Sequence, residues 1–152
     1  MPTATVVITR RGQEVAVLHA EVARNIWRRA RGLMGRNRLA DDGGMLFVYP
    51  WRRTVRIWMA GVAMSLDVLF IDGGGKVVKI VTNLPPGSAR SVSSGRSVRR
   101  VLEVAAGMSA RAGIDVGDYV EMRPDDPNRR PPWVRMISGL RARLAQLMGR
   151  WT

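Results

Sequence analysis

Two carboxylates in otherwise apolar stretches are the residues of this sequence whose type and setting could carry chemistry. Asp67 is the only charged residue in the run IWMAGVAMSLDVLFI, and Glu103 lies in the run VLEVA. An ionised group in an apolar environment is costly unless it is paired or hydrogen-bonded. As a general acid and base, the two carboxylates could hydrolyse a carbohydrate-like substrate. As structural residues, they would bind an arginine or backbone N–H groups and hold loop ends together, which is the interpretation we favour.

Arginine and tryptophan side chains supply further binding candidates. In YPWRRTVR, which we expect to form a loop, Trp51 stands beside Arg52 and Arg53. This composition suits stacking on bases or sugars, or docking of a protein partner, although a solvated turn with a half-buried tryptophan has the same composition. With the arginines of RARGLMGR and the tryptophan of IWM, the binding candidates are Arg31, Arg36, Trp51, Arg52, Arg53, Trp58, Asp67 and Glu103.

The composition excludes several classes of site. There is no cysteine, which excludes disulfides, thiol catalysis and cysteine metal sites. The single histidine, His19, lies in the strand-like run EVAVLHAEVA, and we interpret it as structural. The run DGGGK lacks the spacing of a phosphate-binding loop and is more typical of a hairpin turn. We therefore expect no metal, no cofactor and no catalytic residue, with Asp67 and Glu103 as the alternative catalytic pair.

The charge of the chain indicates the kinds of partner it could meet. Lysine and arginine together number 25 against 12 acidic residues, a net charge of +13, and nearly all the basic residues are arginine. This balance favours phosphates, acidic proteins or anionic lipid. Nucleic-acid binding ranks third among the possible functions because no recognised nucleic-acid-binding motif accompanies the charge. The N-terminal sequence lacks the features of a secretory signal, so we expect a cytoplasmic protein, with contact at a membrane surface as an option.

Short strands separated by turn signals account for most of the chain as far as Met122. TVVIT and EVAVLHAEV flank Arg11-Gly12, and VLFID and KVVKIVT flank a triple glycine, which together predict two hairpins. GMLFVY, SVRRVLEVA and YVEM predict further strands. Short helices are expected after Asn25 and after Ser109 as N-cap residues. The pattern predicts a mainly β domain over residues 1–122, an antiparallel sandwich or barrel.

The last thirty residues have a different composition. Residues 123–132 hold four of the eight prolines, which predicts an extended linker. Apolar residues then recur at alternating intervals of four and three, which predicts a basic amphipathic helix over residues 133–152. This helix could lie on an anionic membrane, bind a partner, pair with its own copy or pack on the domain. Its defining residues are Trp133, Ile137, Leu140, Arg141, Arg143, Leu144, Leu147 and Trp151.

The motifs RGLMGR, GGMLFVYP, IWM, SLDVLF, VLEVAAG and GIDVGD occur in this order between His19 and Met122. Together they resemble the family named domain of unknown function one-nine-two. The resemblance implies a small β-sandwich of jelly-roll type and implies no reaction. After Trp-Met the family usually carries Lys-Asn-Thr, whereas this chain has Ala60, Gly61 and Val62. The matching residues are Gly32, Leu33, Met34, Arg36, Gly44, Met45, Leu46, Phe47, Trp58, Met59, Leu66, Asp67, Val101, Leu102, Glu103, Ala106, Gly107, Gly113, Ile114, Gly117 and Asp118.

These observations favour a binding or accessory module over an enzyme. No nucleophile, metal cluster or phosphate loop is visible in the sequence, and a jelly-roll scaffold hosts many functions. The module would be attached to a membrane surface or a partner through its C-terminal helix. The alternative is a carboxylate-dependent hydrolase that acts through Asp67 and Glu103.

Overall fold

The computed structural model describes residues 2–87 and 91–124, which form nine strands and two short helices. The protein is mainly β in this part of the chain, as the sequence predicts. In chain order the elements are β1 (Thr3–Arg10), β2 (Gln13–Ala23), α1 (Ile26–Arg31), β3 (Gly43–Arg53), β4 (Arg56–Trp58), β5 (Leu66–Ile71), β6 (Val77–Leu84), β7 (Ser91–Ser93), β8 (Val98–Ala105), α2 (Met108–Ala112) and β9 (Tyr119–Pro124).

Seven strands form one mixed sheet in the order β6-β5-β8-β3-β2-β1-β9, and β4 pairs with β7 in a second sheet of two strands. The pairs are antiparallel except for β2 and β3, which run parallel from His19 opposite Gly43. The sequence analysis predicted an antiparallel sandwich or jelly roll, whereas the large sheet is mixed and contains a parallel pair. A parallel pair needs a crossover between its strands, and α1 with the loop that follows it provides this crossover.

The seven-stranded sheet curls until its two edge strands meet at one corner. Lys76, immediately before β6, bridges Tyr119 of β9, and the Val77 N–H donates to the Asp118 carbonyl at 2.8 Å. The described strands nevertheless do not form a closed barrel. The concave face of the sheet holds the inner core, in which α2 contributes Met108. Its members include Val6, Ile8, Leu18, Leu46, Leu69, Ile71, Leu102, Val104, Ile114 and Val120.

The other face of β3, β5 and β8 carries an outer core. The chain after α1 and the small β4–β7 sheet cover this face, and they contribute Leu33 and Ile57. Ser94 fixes the small sheet in place, because its hydroxyl accepts from the Val55 N–H and its own N–H donates to the Val55 carbonyl. Members from the large sheet are Met45, Phe47, Tyr49, Leu66, Val68, Phe70, Val98 and Val101.

Local turn chemistry is confirmed at the predicted hairpins. Arg11 and Gly12 both have positive φ, 52° and 76°, in the two-residue connection between β1 and β2, as hairpins with right-handed twist require. Asn25 caps α1, since its side chain accepts from the Arg28 N–H at 2.8 Å. The predicted cap of α2 is wrong. The helix begins at Met108 after Gly107, and Ser109 lies inside it.

Two predicted boundaries shift. Strand β3 continues through Trp51, Arg52 and Arg53, which the sequence analysis assigned to a loop. Strand β9 includes Arg123 and Pro124, because they pair with Thr5 and Ala4, so the predicted linker cannot begin at residue 123. The remainder of that linker and the amphipathic segment 133–152 lie outside the described residues. Within the described ranges, no helix has the length and apolar character needed to span a membrane.

Candidate binding pocket

A cavity of about 200 Å³ opens on the outer face of the large sheet, where five segments of the chain converge. Buried side chains form its floor and walls, and exposed side chains surround its mouth. The segments are α1 with its following turn, β3, β4, the loop after β4, and β8. The lining residues are Arg29, Ala30, Arg31, Gly32, Leu33, Met34, Phe47, Tyr49, Arg56, Ile57, Trp58, Ala60, Val62 and Glu103.

Glu103 is the acidic residue of this lining, and it is only 5% exposed. Its neighbours across the sheet are Met45 on β3 and Val68 on β5, both fully buried. No hydrogen bond or ion pair to its carboxyl is found among the described residues. Burial raises the pKa of Glu103 to about 8. At neutral pH the group is therefore mostly a neutral carboxyl, which can both donate and accept a hydrogen bond.

Tyr49 adds a second buried polar group to the pocket. It is 9% exposed, and burial raises the pKa of its phenol while the charges of Arg29 and Arg53 lower it. The Arg29 guanidinium lies 5.0 Å from the centre of the tyrosine ring, and its Nη1 donates to the carbonyls of Arg24 and Val48. Arg29 is thus held in place, whereas the phenol has no hydrogen-bonding partner in the described part of the chain.

The mouth of the pocket is cationic and aromatic. Arg31, Arg56 and Trp58 are all exposed there, with Trp58 at 62%. Arg56 reaches the Ser91 hydroxyl at 3.3 Å, a long contact at the limit of a hydrogen bond. The Arg31 side chain contacts no acceptor among the described residues. Because Glu103 is mostly neutral at pH 7, the charge presented to an entering molecule is positive.

The shape of the pocket depends on the turn after α1. Gly32 has φ 47° and ψ −129°, a backbone conformation suited to glycine, and an added Cβ would lie 3.3 Å from the Phe47 ring. Gly32 therefore lets the chain pass close over β3. Ala60 and Val62 also line the cavity. The wall in this chain is consequently small and apolar.

Asp67 lies on the opposite face of the sheet. It pairs with Val104, while Glu103 pairs with the neighbouring Val68, and consecutive residues of a strand point to opposite faces. Its Oδ1 accepts from the Asn83 N–H at 3.0 Å. Its Oδ2 accepts from the N–H groups of Gly107 and Ser109 at 3.1 Å and from the Ser109 hydroxyl at 2.5 Å.

These contacts decide how the two carboxylates can be used. Since Asp67 and Glu103 face different cores, they cannot act on one substrate, and the alternative of a paired acid and base is wrong. Asp67 instead connects the end of β6 and the start of α2 through hydrogen bonds to its carboxylate, which is fully buried. This is the geometry that the structural interpretation of Asp67 describes.

The other candidates are spread over the surface, and only Arg31 and Trp58 join Glu103 at the pocket. Arg36 forms an ion pair with Glu21 on β2. Trp51 is 65% exposed on β3, and the Arg52 guanidinium covers Gly73, where an added Cβ would collide with it. Arg53 lies over the Tyr49 ring at 5.8 Å.

Sequence reasoning missed Tyr49 and Arg56 as pocket residues. A signal for Tyr49 existed, because Met45, Phe47 and Tyr49 alternate along one strand and must share a face. Arg56 ends the run YPWRRTVR, but its position at the pocket was missed because β4 was not predicted as a strand. In the described residues, no cluster of three or more histidine, cysteine or acidic side chains is placed to hold a metal ion.

Comparisons with known proteins place this fold in an uncharacterised group. Residues 6–122 match the family DUF192, described as "Uncharacterized ACR". A crystal structure of a candidate transcription regulator from Sinorhizobium meliloti is similar, with 36% identity, a TM-score of 0.75, and 79% of this chain and 93% of that chain covered. A protein of unknown function from Novosphingobium aromaticivorans has 31% identity and a TM-score of 0.74, with 78% and 84% covered. No curated protein matches the chain.

Proposed function

Because the chain belongs to the DUF192 family, whose description names no activity, we propose its function from the pocket: the domain binds a small molecule over Glu103 and is not an enzyme. The observation that carries this proposal is the Glu103 carboxyl itself, 5% exposed and without a protein partner in the described residues. Burying a polar group without a hydrogen bond is costly, and a buried group with a shifted pKa in a cleft is a candidate functional residue.

The lining of the pocket supports recognition rather than catalysis. Its buried polar groups are one carboxyl and one phenol, surrounded by the apolar side chains of Leu33, Phe47 and Ile57. Small-molecule sites typically combine apolar walls with a few polar groups that orient the ligand. No nucleophile paired with a base lines the cavity in the described residues, and Asp67, the other buried carboxylate considered, faces the inner core.

A thermal-shift screen with a matched pair of variants tests the binding site. Neutral sugars, amines, nucleotides and organic acids are added at pH 7 to the wild type, to Glu103→Leu and to Glu121→Leu, which alters an exposed glutamate on β9 outside the pocket. A ligand at 100 times its Kd should stabilise the wild type and Glu121→Leu by about 2.7 kcal/mol. It should not stabilise Glu103→Leu, because the polar floor is gone. A ligand that stabilises all three proteins equally binds elsewhere and contradicts the proposal.

We also propose that residues 133–152 attach the domain to an anionic membrane surface. This proposal rests on the sequence pattern alone, because the segment lies outside the described residues. Residues 133–152 hold four arginines and no acidic residue, and a continuous apolar stripe accompanies them. Interfacial binding needs both the apolar area and the charge.

Flotation with anionic liposomes tests the attachment. Leu144→Glu places a carboxylate in the apolar stripe and should weaken binding far more than Arg52→Glu, which removes an exposed arginine of β3. Salt should weaken binding of the wild type. Sedimentation of the lipid-free protein is the control, since Leu144→Glu would also disrupt a helix that pairs with its copy. A wild type that ignores liposomes at low salt, and is a dimer that Leu144→Glu makes monomeric, would show that the segment is an oligomerisation element.

A further inference from the structure

The side chains around the pocket carry mainly positive charge, which favours anionic ligands. Arg29, Arg31 and Arg56 line it, and Glu103 is the acidic side chain in the lining. Arg29 already donates to two carbonyls, whereas Arg31 has no acceptor in the described chain. A free guanidinium beside an apolar cavity attracts carboxylate or phosphate groups. A cationic ligand would meet these arginines before it reached the floor.

The polar groups on the floor of the pocket favour a ligand that carries a hydrogen-bonding group at its inner end. The Glu103 carboxyl and the Tyr49 phenol are both buried, and neither has a hydrogen-bonding partner among the described residues. An apolar ligand end at the floor would leave both groups without hydrogen bonds, and their desolvation would not be offset. We therefore expect such a ligand to bind weakly. A hydroxyl or carbonyl oxygen at that end would offer a hydrogen-bonding partner to these buried groups.

We infer that the ligand is a small organic anion, with its carboxylate or phosphate between Arg31 and Arg56 at the mouth and a hydroxyl or carbonyl oxygen at Glu103 and Tyr49 on the floor. This inference rests on the proposed function and deepens it, because it names the ligand class. The walls formed by Leu33, Phe47, Ile57 and Val62 would contact the carbon skeleton between the two ends.

The inference also fixes how binding depends on pH. The other charged and titratable groups in the pocket lining are Tyr49 on β3, Arg29 and Arg31 on α1, and Arg56 on β4. Arginine stays charged, and burial keeps the phenol neutral by raising its pKa. An anion favours the protonated form of Glu103. Its affinity should therefore be constant near pH 6 and fall as pH rises through about 8, approaching about tenfold per pH unit.

Calorimetry with three probes of similar shape separates the requirement for a negative charge from the requirement for a distal oxygen. 4-(Hydroxymethyl)benzoate has both the charge and the distal oxygen, 4-ethylbenzoate lacks the oxygen, and 4-(hydroxymethyl)benzamide lacks the charge. We expect the first to bind at least about tenfold more tightly than either of the others. D-Glucuronate and D-glucose repeat the comparison of charge on an aliphatic skeleton.

Variants connect each requirement to its residues. Arg31→Gln/Arg56→Gln should weaken the hydroxylated benzoate about tenfold or more and leave the amide unchanged. Arg28→Gln/Arg38→Gln removes two exposed arginines outside the pocket and should change affinity less than about twofold. Glu103→Gln, which imitates the protonated carboxyl, should keep the affinity at pH 7 and abolish its dependence on pH.

The outcomes distinguish this inference from the proposed function. If the amide and glucose bind as tightly as the two acids, or if neither acid binds while a ligand of another class depends on Glu103, the ligand class is wrong and the site remains. If the screen yields no ligand that depends on Glu103, both proposals fail. An affinity of 4-(hydroxymethyl)benzoate that follows pH equally in the wild type and Glu103→Gln would also overturn the inference.

Discussion

Replacing Glu103 with glutamine should make the protein more stable at alkaline pH, by up to about 5 kcal/mol. The pKa of the carboxyl rises from 4.5 to about 8 on folding, and one pKa unit corresponds to about 1.4 kcal/mol. Between these two values the unfolded chain is ionised and the folded chain is protonated. The folded state therefore binds more protons, and the free energy of unfolding falls as pH rises through this window. Glutamine carries no such proton, so the variant escapes the loss.

Urea unfolding of the wild type and Glu103→Gln from pH 4.5 to pH 9 measures this effect. The advantage of the variant should be smallest at the acidic end, increase up to about pH 8, and then remain level. Glu121→Gln is the control, because Arg123 pairs with Glu121 at the surface and lowers the pKa of its carboxyl. That variant should show no gain with rising pH. A constant difference between Glu103→Gln and the wild type across the range would show that the carboxyl is ionised in the folded protein.

Asp67→Asn should cost on the order of 3 kcal/mol in the free energy of unfolding at pH 7. The carboxylate accepts three backbone N–H groups and one hydroxyl through two oxygens. Asparagine has a single acceptor oxygen. If that oxygen still accepts from the N–H groups of Gly107 and Ser109, the amide nitrogen takes the place of the oxygen that accepts from the Asn83 N–H. Two hydrogen-bond donors then face each other in a buried site.

Asp72, a half-buried aspartate, provides the matched control. The Oδ1 of Asp72 accepts from the N–H groups of Gly74 and Lys76, both at 2.9 Å, in the turn between β5 and β6. Asp72→Asn retains this acceptor and can turn its amide nitrogen towards solvent, so it should cost less than about 1 kcal/mol. Thermal melts of the two variants beside the wild type decide the matter. If Asp67→Asn and Asp72→Asn have the same melting temperature, the buried hydrogen bonds of Asp67 contribute little to the stability of the fold.

The sequence was sufficient for elements whose cause is local. The hairpin at Arg11-Gly12 and the cap at Asn25 depend on residues within a few positions of each other. The parallel pairing of β2 with β3, and the small sheet of β4 and β7, depend on contacts between distant segments. No local pattern specifies those partners, so the predicted antiparallel sandwich could not be corrected from sequence.

In the candidate site too, some features could be predicted from local sequence and others depend on contacts between distant segments. Glu103 and Asp67 stood out because each is a carboxylate in an apolar run, and both are indeed buried. Their relation could not be predicted, because it depends on register: Asp67 is opposite Val104 and not opposite Glu103. A shift of one residue in that pairing would have placed both carboxylates on one face. Arg56 reaches the pocket only through the pairing of β4 with β7, for which the sequence carries no signal.

The pairing of β1 with β9 also affects how the protein is made on the ribosome. Arg10 and Asp118, which form a salt bridge beside this pair of strands, are 108 positions apart in the chain. Synthesis adds about 5–20 residues per second, so the free edge of β1 has to wait on the order of 5–20 s for its partner. During that interval the β1–β2 hairpin presents an unpaired strand with the apolar side chains Val6, Val7 and Ile8, the kind of edge that recruits other chains. The first strand is therefore the edge that must be kept from pairing with other chains until β9 is made.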